Sequence, residues 1–192
     1  MKRVYEKVRK DNKITRNKLF FFYNHPMHSL TLSSPLWNLI VLANSTHLLM
    51  LEFEESKELK NKIQKLQNLL WESVESWENS IIRETEKQLG EYFAWARKSF
   101  SIPLAPSGTE FQRSAWKALE KIPYGETRNY LEEATMIGNP KAVRAIGWAN
   151  HNNPIVIIIP CHRVIGKSGK LVGYGGWIER KKWLLDHEHT YQ

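Results

Sequence analysis

The residues whose types and spacing could do chemistry lie in one stretch, Pro160-Cys161-His162-Arg163-Val164. Cys161 is the only cysteine among 192 residues. His162 adjoins it, and a carboxylate, Glu188, lies near the C-terminus. Thiol, imidazole and carboxylate are the parts of an activated cysteine nucleophile. A lone cysteine is also, commonly, a small buried hydrophobe without chemistry. Here the flanking sequence favours the nucleophile. The apolar run Ile155-Val156-Ile157-Ile158-Ile159 predicts a strand that Pro160 must end. A thiol at the end of a rigid strand is held still and offered to whatever lies beyond it.

The elements around this stretch can be read from pattern. Residues 1–25 are Lys/Arg-rich with a Phe20-Phe21-Phe22-Tyr23 cluster, and read as a tail or a first strand. Apolar runs at residues 36–43 and 47–53, joined by Asn44-Ser45-Thr46, predict two strands and a turn. Leu59, Ile63, Leu66, Leu69 and Leu70 recur at helical steps, as do Ile81, Ile82, Thr85, Leu89, Tyr92 and Phe93. Residues 101–108 carry two prolines and a glycine and read as an interdomain linker. The expected division is a tail over 1–25, a small α/β domain over 26–104 and a mostly helical domain over 105–192.

Beyond the linker, Thr109-Glu110-Phe111-Gln112 reads as a capping box opening a helix that Pro123-Tyr124-Gly125 stops. Asn129 with Glu132 caps a further helix that Gly138 ends, and Asn139-Pro140 predicts the start of another, over about 140–150. Three residues between two helices fit a helix-turn-helix, and equally an ordinary helical hairpin. Ala142, Ala145, Gly147 and Ala149 keep the second helix narrow, while Lys141 and Arg144 add charge. Such a helix can approach a groove closely or pack against another helix. Asn150-His151-Asn152-Asn153-Pro154 is a turn run, and residues 165–176 form a glycine-rich ribbon, a wing by position. A last helix is expected over 178–187, with Trp183, Leu184 and Leu185 inward.

Composition bounds the function. The formal net charge is +8, a weak indication of a polyanionic partner. From Asn139 to Lys182 there are eight Lys or Arg and one acid, Glu179, so the cysteine sits in electropositive surroundings. Those suit both a thiolate and a phosphate backbone. A single cysteine excludes an internal disulfide and a Cys-cluster zinc site, and places the chemistry in a reducing compartment. No signal peptide, membrane span, metal or other cofactor is expected.

These motifs together resemble the O6-alkylguanine-DNA alkyltransferases. The match rests on Pro160-Cys161-His162-Arg163-Val164 and is supported by Phe111-Gln112, Ile122-Pro123-Tyr124-Gly125-Glu126, Gly138-Asn139-Pro140, Ala142-Val143-Arg144-Ala145, Asn153-Pro154 and Trp183-Leu184-Leu185-Asp186-His187-Glu188. The resemblance implies a ribonuclease H-like α/β domain followed by a winged helix-turn-helix domain. Cys161 would take the alkyl group from O6 of guanine in one irreversible transfer. Glu188, His162 and a water would draw off the thiol proton, and Asn153 would brace the turn before the cysteine. Tyr130 would help rotate the nucleotide and bond the flipped base. The carbonyls of Cys161 and Val164 would accept from the guanine amine, Tyr174 would wall the pocket and the Gly175 amide would face O6. Arg144 would fill the gap in the base stack, on a helix whose Lys141, Ala142 and Ala145 lie at the minor groove. The implied partner is double-stranded DNA carrying O6-alkylguanine, met by a cytoplasmic monomer.

Four positions depart from common family usage or vary within it. Gly175 stands where some relatives have Ser. Trp148 stands where many have a small residue, and could face inward or towards DNA. Val156 and Val172 fall at pocket positions that vary. The competing readings are a non-reacting binder of alkylated DNA, a helix-turn-helix regulator and a cysteine hydrolase. Retention of Cys161 weighs against the first, and the Pro-Cys-His-Arg run against the second. No deacylation machinery is evident for the third.

Overall fold

The computed structural model describes residues 27–35, 37–70, 74–76, 78–172 and 178–191. Tyr174, Gly175 and residues 1–25, with their aromatic cluster, lie outside the described residues. Strands β1 (Met27–Leu32), β2 (Leu39–Ala43) and β3 (Leu48–Phe53) form an antiparallel meander, and β4 (Val74–Ser76) joins β1 in parallel. The sheet order is β3-β2-β1-β4. Helices α1 (Leu59–Leu70) and α2 (Ser80–Phe93) cover its two faces. Leu42 and Met50 pack towards Ile63 and Leu66 of α1, while Val41, Leu51 and Phe53 join Ile82, Leu89 and Tyr92 of α2. Burial on both faces explains why β2 and β3 read as continuous apolar runs. The β2–β3 turn is stiffened by Asn44, whose Oδ1 accepts from the amides of Thr46 at 3.0 Å and His47 at 2.7 Å.

The stretch read as a linker is not loose. Leu48 N donates to Pro103 O at 2.8 Å, and Ala105 N donates to Leu48 O at 2.9 Å. Further along β3, Leu51 N donates to Pro154 O and Val156 N to Leu51 O, both at 2.9 Å. β3 is an outer strand, and these two passes satisfy an edge that would otherwise be open. The core follows the same route. It runs from Leu51 and Tyr92 through Trp116 and Leu119 to Ile155, Ile159, Val164 and Leu184.

The C-terminal half contains α3 (Glu110–Leu119), α4 (Tyr130–Met136), α5 (Val143–His151) and α6 (Ile178–Thr190), with a parallel pair of short strands, β5 (Arg128–Asn129) and β6 (Val164–Ile165). The capping boxes at Thr109 and Asn129 form as the sequence predicts. Trp116 Nε1 ties α3 to α5 through Ala149 O at 2.9 Å. Arg180 ties α6 to the sheet: its guanidinium lies over the rings of Trp37 at 4.0 Å and Phe53 at 4.4 Å and pairs with Glu55. No helix among the described residues is long and apolar enough to cross a membrane.

Three expectations are corrected. The second helix of the pair starts at Val143, not Pro140, and Asn139 does not cap it. Asn139 is already used in closing α4: its amide reaches back to Ala134 O at 2.9 Å, and that of Gly138 to Thr135 O at 2.9 Å. Gly138 has φ +74°, the left-handed residue this helix end requires. Residues 137–142 therefore separate the helices, and Lys141 and Ala142 belong to the turn. The run 155–159 is not a strand. Only Ile155 pairs with β3; the rest folds into tight turns, with Ile158 N donating to Val156 O at 2.9 Å and Cys161 N to Ile159 O at 2.8 Å. Ile157 sits at φ +71°, a conformation that costs a β-branched residue about 1–3 kcal/mol. A short apolar run cannot by itself distinguish a buried strand from buried turns. Finally, α6 continues to Thr190, so Glu188 projects from a helix rather than from a tail.

Candidate active site

Cys161 opens a single 3-10 turn, Cys161–Arg163, and is 6% exposed. Asn153 reaches its sulfur: Nδ2 lies 3.2 Å from Sγ and donates to Ile159 O at 2.8 Å. Asn153 Oδ1 accepts from Ile155 N at 3.0 Å. One buried amide thus spans the turn before the cysteine and the cysteine itself, as a rigid brace. Burial pushes the thiol up to about 11; the Asn153 hydrogen bond and the charges of Lys181 and Lys62 pull it down, and Glu52 opposes them.

The side chain of His162 points into a second network centred on Glu188, which is fully buried. Glu188 Oε1 accepts from His162 Nε2 at 2.8 Å, Tyr92 OH at 2.9 Å and an Arg163 terminal nitrogen at 2.9 Å. Its Oε2 accepts from Arg163 Nε at 2.8 Å and Gly125 N at 3.0 Å. Burial would raise this carboxyl, but His162 and Arg163 outweigh it and hold the group well below the usual carboxylate range. With Glu188 ionised, His162 Nε2 must carry the hydrogen. Burial lowers the imidazole pKa against the pull of Glu188, so the ring is neutral and Nδ1 is basic. Nδ1 is buried and makes no hydrogen bond among the described residues.

Sequence reasoning singled out Cys161, His162, Glu188 and Asn153; the structure places Asn153 on the Cys161 sulfur and His162 on Glu188. It missed the roles of Arg163 and Tyr92. Arg163 lies within the motif, but nothing in its spacing says that it turns back onto Glu188. Tyr92 comes from α2, 96 positions before its partner.

Around the thiol, Lys181 of α6 donates to Val164 O at 2.5 Å and Val172 O at 2.9 Å. Tyr130 OH donates to the same Val172 carbonyl at 3.1 Å. Val172 O thus joins Tyr130 to Lys181, and Lys181 links both to Val164 O. Val164 O already carries one donor, and Cys161 O accepts from Val164 N. A carbonyl has a second lone pair for an incoming amine.

Below them, buried Glu133 is pushed up to about 8 by burial, against the Asn150 hydrogen bond and Lys181. Asn150 Nδ2 donates to Glu133 Oε2 at 2.6 Å, while Glu133 Oε1 and Asn150 Oδ1 make no hydrogen bond among the described residues. In its protonated form this buried carboxyl carries no charge and still accepts from Asn150. Its folded pKa is raised, so its stabilisation is complete below the ordinary value of 4.5 and is lost as pH rises through about 8. Glu133→Gln keeps an uncharged amide there at every pH. Urea unfolding across this range is expected to show a flatter pH profile for the variant and greater stability than the parent above about pH 8. Parallel profiles would contradict it.

The α4–α5 pair divides its small residues between two jobs. Ala149 packs inward with Ala115, Ala134 and Ile146, and Gly147 faces the Tyr130 ring. Lys141, Arg144 and Ala145 are exposed, and Ala142 is half-buried in the turn before them. Trp148 faces outward at 66% exposure, stacked on His151 with ring centroids 5.4 Å apart. One face thus presents a cation, a small residue and an aromatic ring.

Comparisons with known proteins agree with this geometry. Residues 27–106 match the family model for the 6-O-methylguanine DNA methyltransferase ribonuclease-like domain, and residues 110–190 match that for its DNA binding domain. A methylated-DNA–protein-cysteine methyltransferase of Methanosarcina mazei is 44% identical over 85% of this chain and 98% of its own. The constitutive enzyme of that name from Bacillus subtilis is 44% identical over 82% of this chain and 93% of its own. The crystal structure of Mycobacterium tuberculosis O6-methylguanine methyltransferase superposes with TM-score 0.74 at 41% identity, covering 86% of this chain and 94% of that one. The same M. tuberculosis protein, solved in complex with DNA, gives 0.73 at 41% identity, covering 85% and 94%. The chain belongs to the methylated-DNA–protein-cysteine methyltransferase family.

Proposed function

We propose that this protein repairs DNA by moving the alkyl group of O6-alkylguanine onto Cys161, once per molecule. The observation that carries this reading is the buried Cys161 thiol, held by Asn153 beside the His162–Glu188–Arg163 network. His162 Nδ1 would accept the thiol proton through a bridging water, with Glu188 and Arg163 fixing the imidazole. The sulfur forms a bond to the alkyl carbon, the carbon–O6 bond breaks, and its electron pair returns to guanine, which takes up a proton. Atoms and charge balance without a cofactor. A thiol this buried cannot reach a base inside a duplex, so the nucleotide must be rotated out. Tyr130 beside the thiol would help that rotation; Lys141, Ala142 and Ala145 would lie against the duplex. Tyr174 and Gly175 are proposed pocket residues by resemblance. On this reading residues 26–104 form the supporting domain and 105–192 the reacting one, in a monomer working in the reducing cytoplasm.

The test follows the DNA. Mixed with an excess of duplex carrying one O6-methylguanine, the protein should restore guanine at one lesion per protein molecule and then stop. Continued turnover, or removal of the whole base, would exclude the reading.

Rotation of the base makes a separate prediction for Arg144. Unstacking costs a few kcal/mol, so losing a side chain that fills the gap should be felt. Arg144→Ala is expected to slow repair of duplex DNA on the order of tenfold or more while sparing transfer from the free base O6-benzylguanine. Arg144→Lys keeps the charge and loses the flat guanidinium. Full repair by the Lys variant at saturating DNA would reduce Arg144 to a phosphate contact.

A further inference from the structure

Asn153 spends its side chain within the loop that carries the thiol, but its carbonyl faces elsewhere. That carbonyl accepts from Lys62 Nζ at 2.9 Å, across 91 positions, from helix α1 of the other half of the molecule. Lys62 is ion-paired with Glu52 of β3. Both side chains are largely buried, at 16% and 6% exposure. Glu52 is fixed in turn, since its Oε1 accepts from Phe53 N at 2.9 Å. The residue before it, Leu51, holds Pro154 O and Val156 N. The turn Asn153-Pro154-Ile155 is therefore gripped on both sides by the N-terminal half, and one grip is on the residue whose side-chain amide touches Sγ.

We propose that Lys62, locked by Glu52, is a positioning residue for Cys161, holding the thiol from the N-terminal domain through the backbone of Asn153. The proposal rests on Cys161 being the alkyl acceptor. A lone buried lysine would be costly, and Glu52 makes this one tolerable. A carboxylate that served only to anchor α1 could have stayed at the surface, where lysines of the same helix, Lys60 and Lys65, are exposed. Instead the pair lies close enough for both charges to act on the thiol. Among the described residues, the charged or titratable groups that face Cys161 are Lys62 from α1, Glu52 from β3, Lys181 from α6 and Tyr130 from α4. Lys62 and Lys181 favour the thiolate and Glu52 disfavours it.

The experiment uses the full chain and the free base O6-benzylguanine, so that DNA contacts do not enter. Transfer is followed across pH for the parent, Lys62→Met, Lys62→Arg and Glu52→Gln. Lys62→Met keeps the aliphatic stem and loses the donor and charge. It should slow transfer at neutral pH about tenfold or more, with the rate recovering towards alkaline pH, where thiolate forms without help. Lys62→Arg should restore most of the rate. Glu52→Gln leaves the lysine charge unopposed and should move the profile the opposite way, to lower pH. Each variant is also unfolded in urea. A folded Lys62→Met with the parent's rate and pH profile would overturn the proposal. So would a pH-independent slowing that Lys62→Arg does not rescue, which is the mark of a structural brace alone. Should Lys62→Met fail to fold, an unshifted profile for Glu52→Gln overturns the proposal by itself. If the parent does not react with either duplex DNA or free base, the assignment of Cys161 fails instead, and the two failures are told apart.

Discussion

Cys161→Ala is expected to leave a folded protein that binds alkylated duplex DNA and transfers nothing. The sulfur is buried and, among the described residues, receives one hydrogen bond, from Asn153 Nδ2 at 3.2 Å. Losing it leaves that amide its bond to Ile159 O, so the brace survives. The stability cost should be modest, about 1 kcal/mol, as for removing a small partly satisfied group. The exposed face with Arg144, Ala145 and Trp148 is untouched, so binding should persist. Activity should vanish completely, because no second cysteine exists to take the group. Gel-shift binding and loss of O6-methylguanine from the duplex read the two properties separately. Residual transfer in the alanine variant would remove Cys161 from the chemistry.

Glu188→Gln should have the next largest effect, and on two properties at once. Glu188 collects donors from His162, Arg163, Tyr92 and Gly125, and it is the counter-charge for a guanidinium that is itself only 6% exposed. Gln keeps the shape, offers one acceptor oxygen in place of two and leaves Arg163 without its anion. Breaking a buried pair from one side typically costs about 3–5 kcal/mol. The imidazole loses the charge that fixes its tautomer, and transfer at neutral pH should fall on the order of a hundredfold. Tyr92→Phe is the control. It removes one donor to the same carboxylate, keeps charge and tautomer, and should cost stability with little effect on rate. The acid limb carries a further sign. Glu188 is depressed in the fold, so its stabilisation is present above the ordinary value of 4.5 and is lost as pH falls below it. The Gln variant should lack that portion of the parent's acid destabilisation. Equal rates for folded Glu188→Gln and parent would detach Glu188 from proton transfer.

What could be read from sequence was local. The capping boxes at Thr109 and Asn129, the two helices over the sheet and the β2–β3 turn all declare themselves through spacing of a few residues. The motif around Cys161 did the same for the reacting group. What failed depended on how one segment meets another. Asn139 has a helix-capping residue type, but the end of α4 claims its amide. The run 155–159 has strand composition, but β3 accepts only Ile155 and the rest must turn to deliver Cys161. Strands β1 and β4 were overlooked, the first for its polar His28, Ser29 and Thr31, the second because it is three residues long. Tyr92 and Lys62 join the site from sequence distances at which periodicity carries no information.

The central claim is that one alkyl group ends on one sulfur. The direct measurement is the mass of the protein after reaction with an O6-methylguanine duplex, followed by mapping of the modified peptide. A gain of a single methyl group is expected, located on Cys161 and fixed however much damaged DNA is added. A protein of unchanged mass after the lesion has been repaired, or a methyl group on any residue other than Cys161, would contradict it.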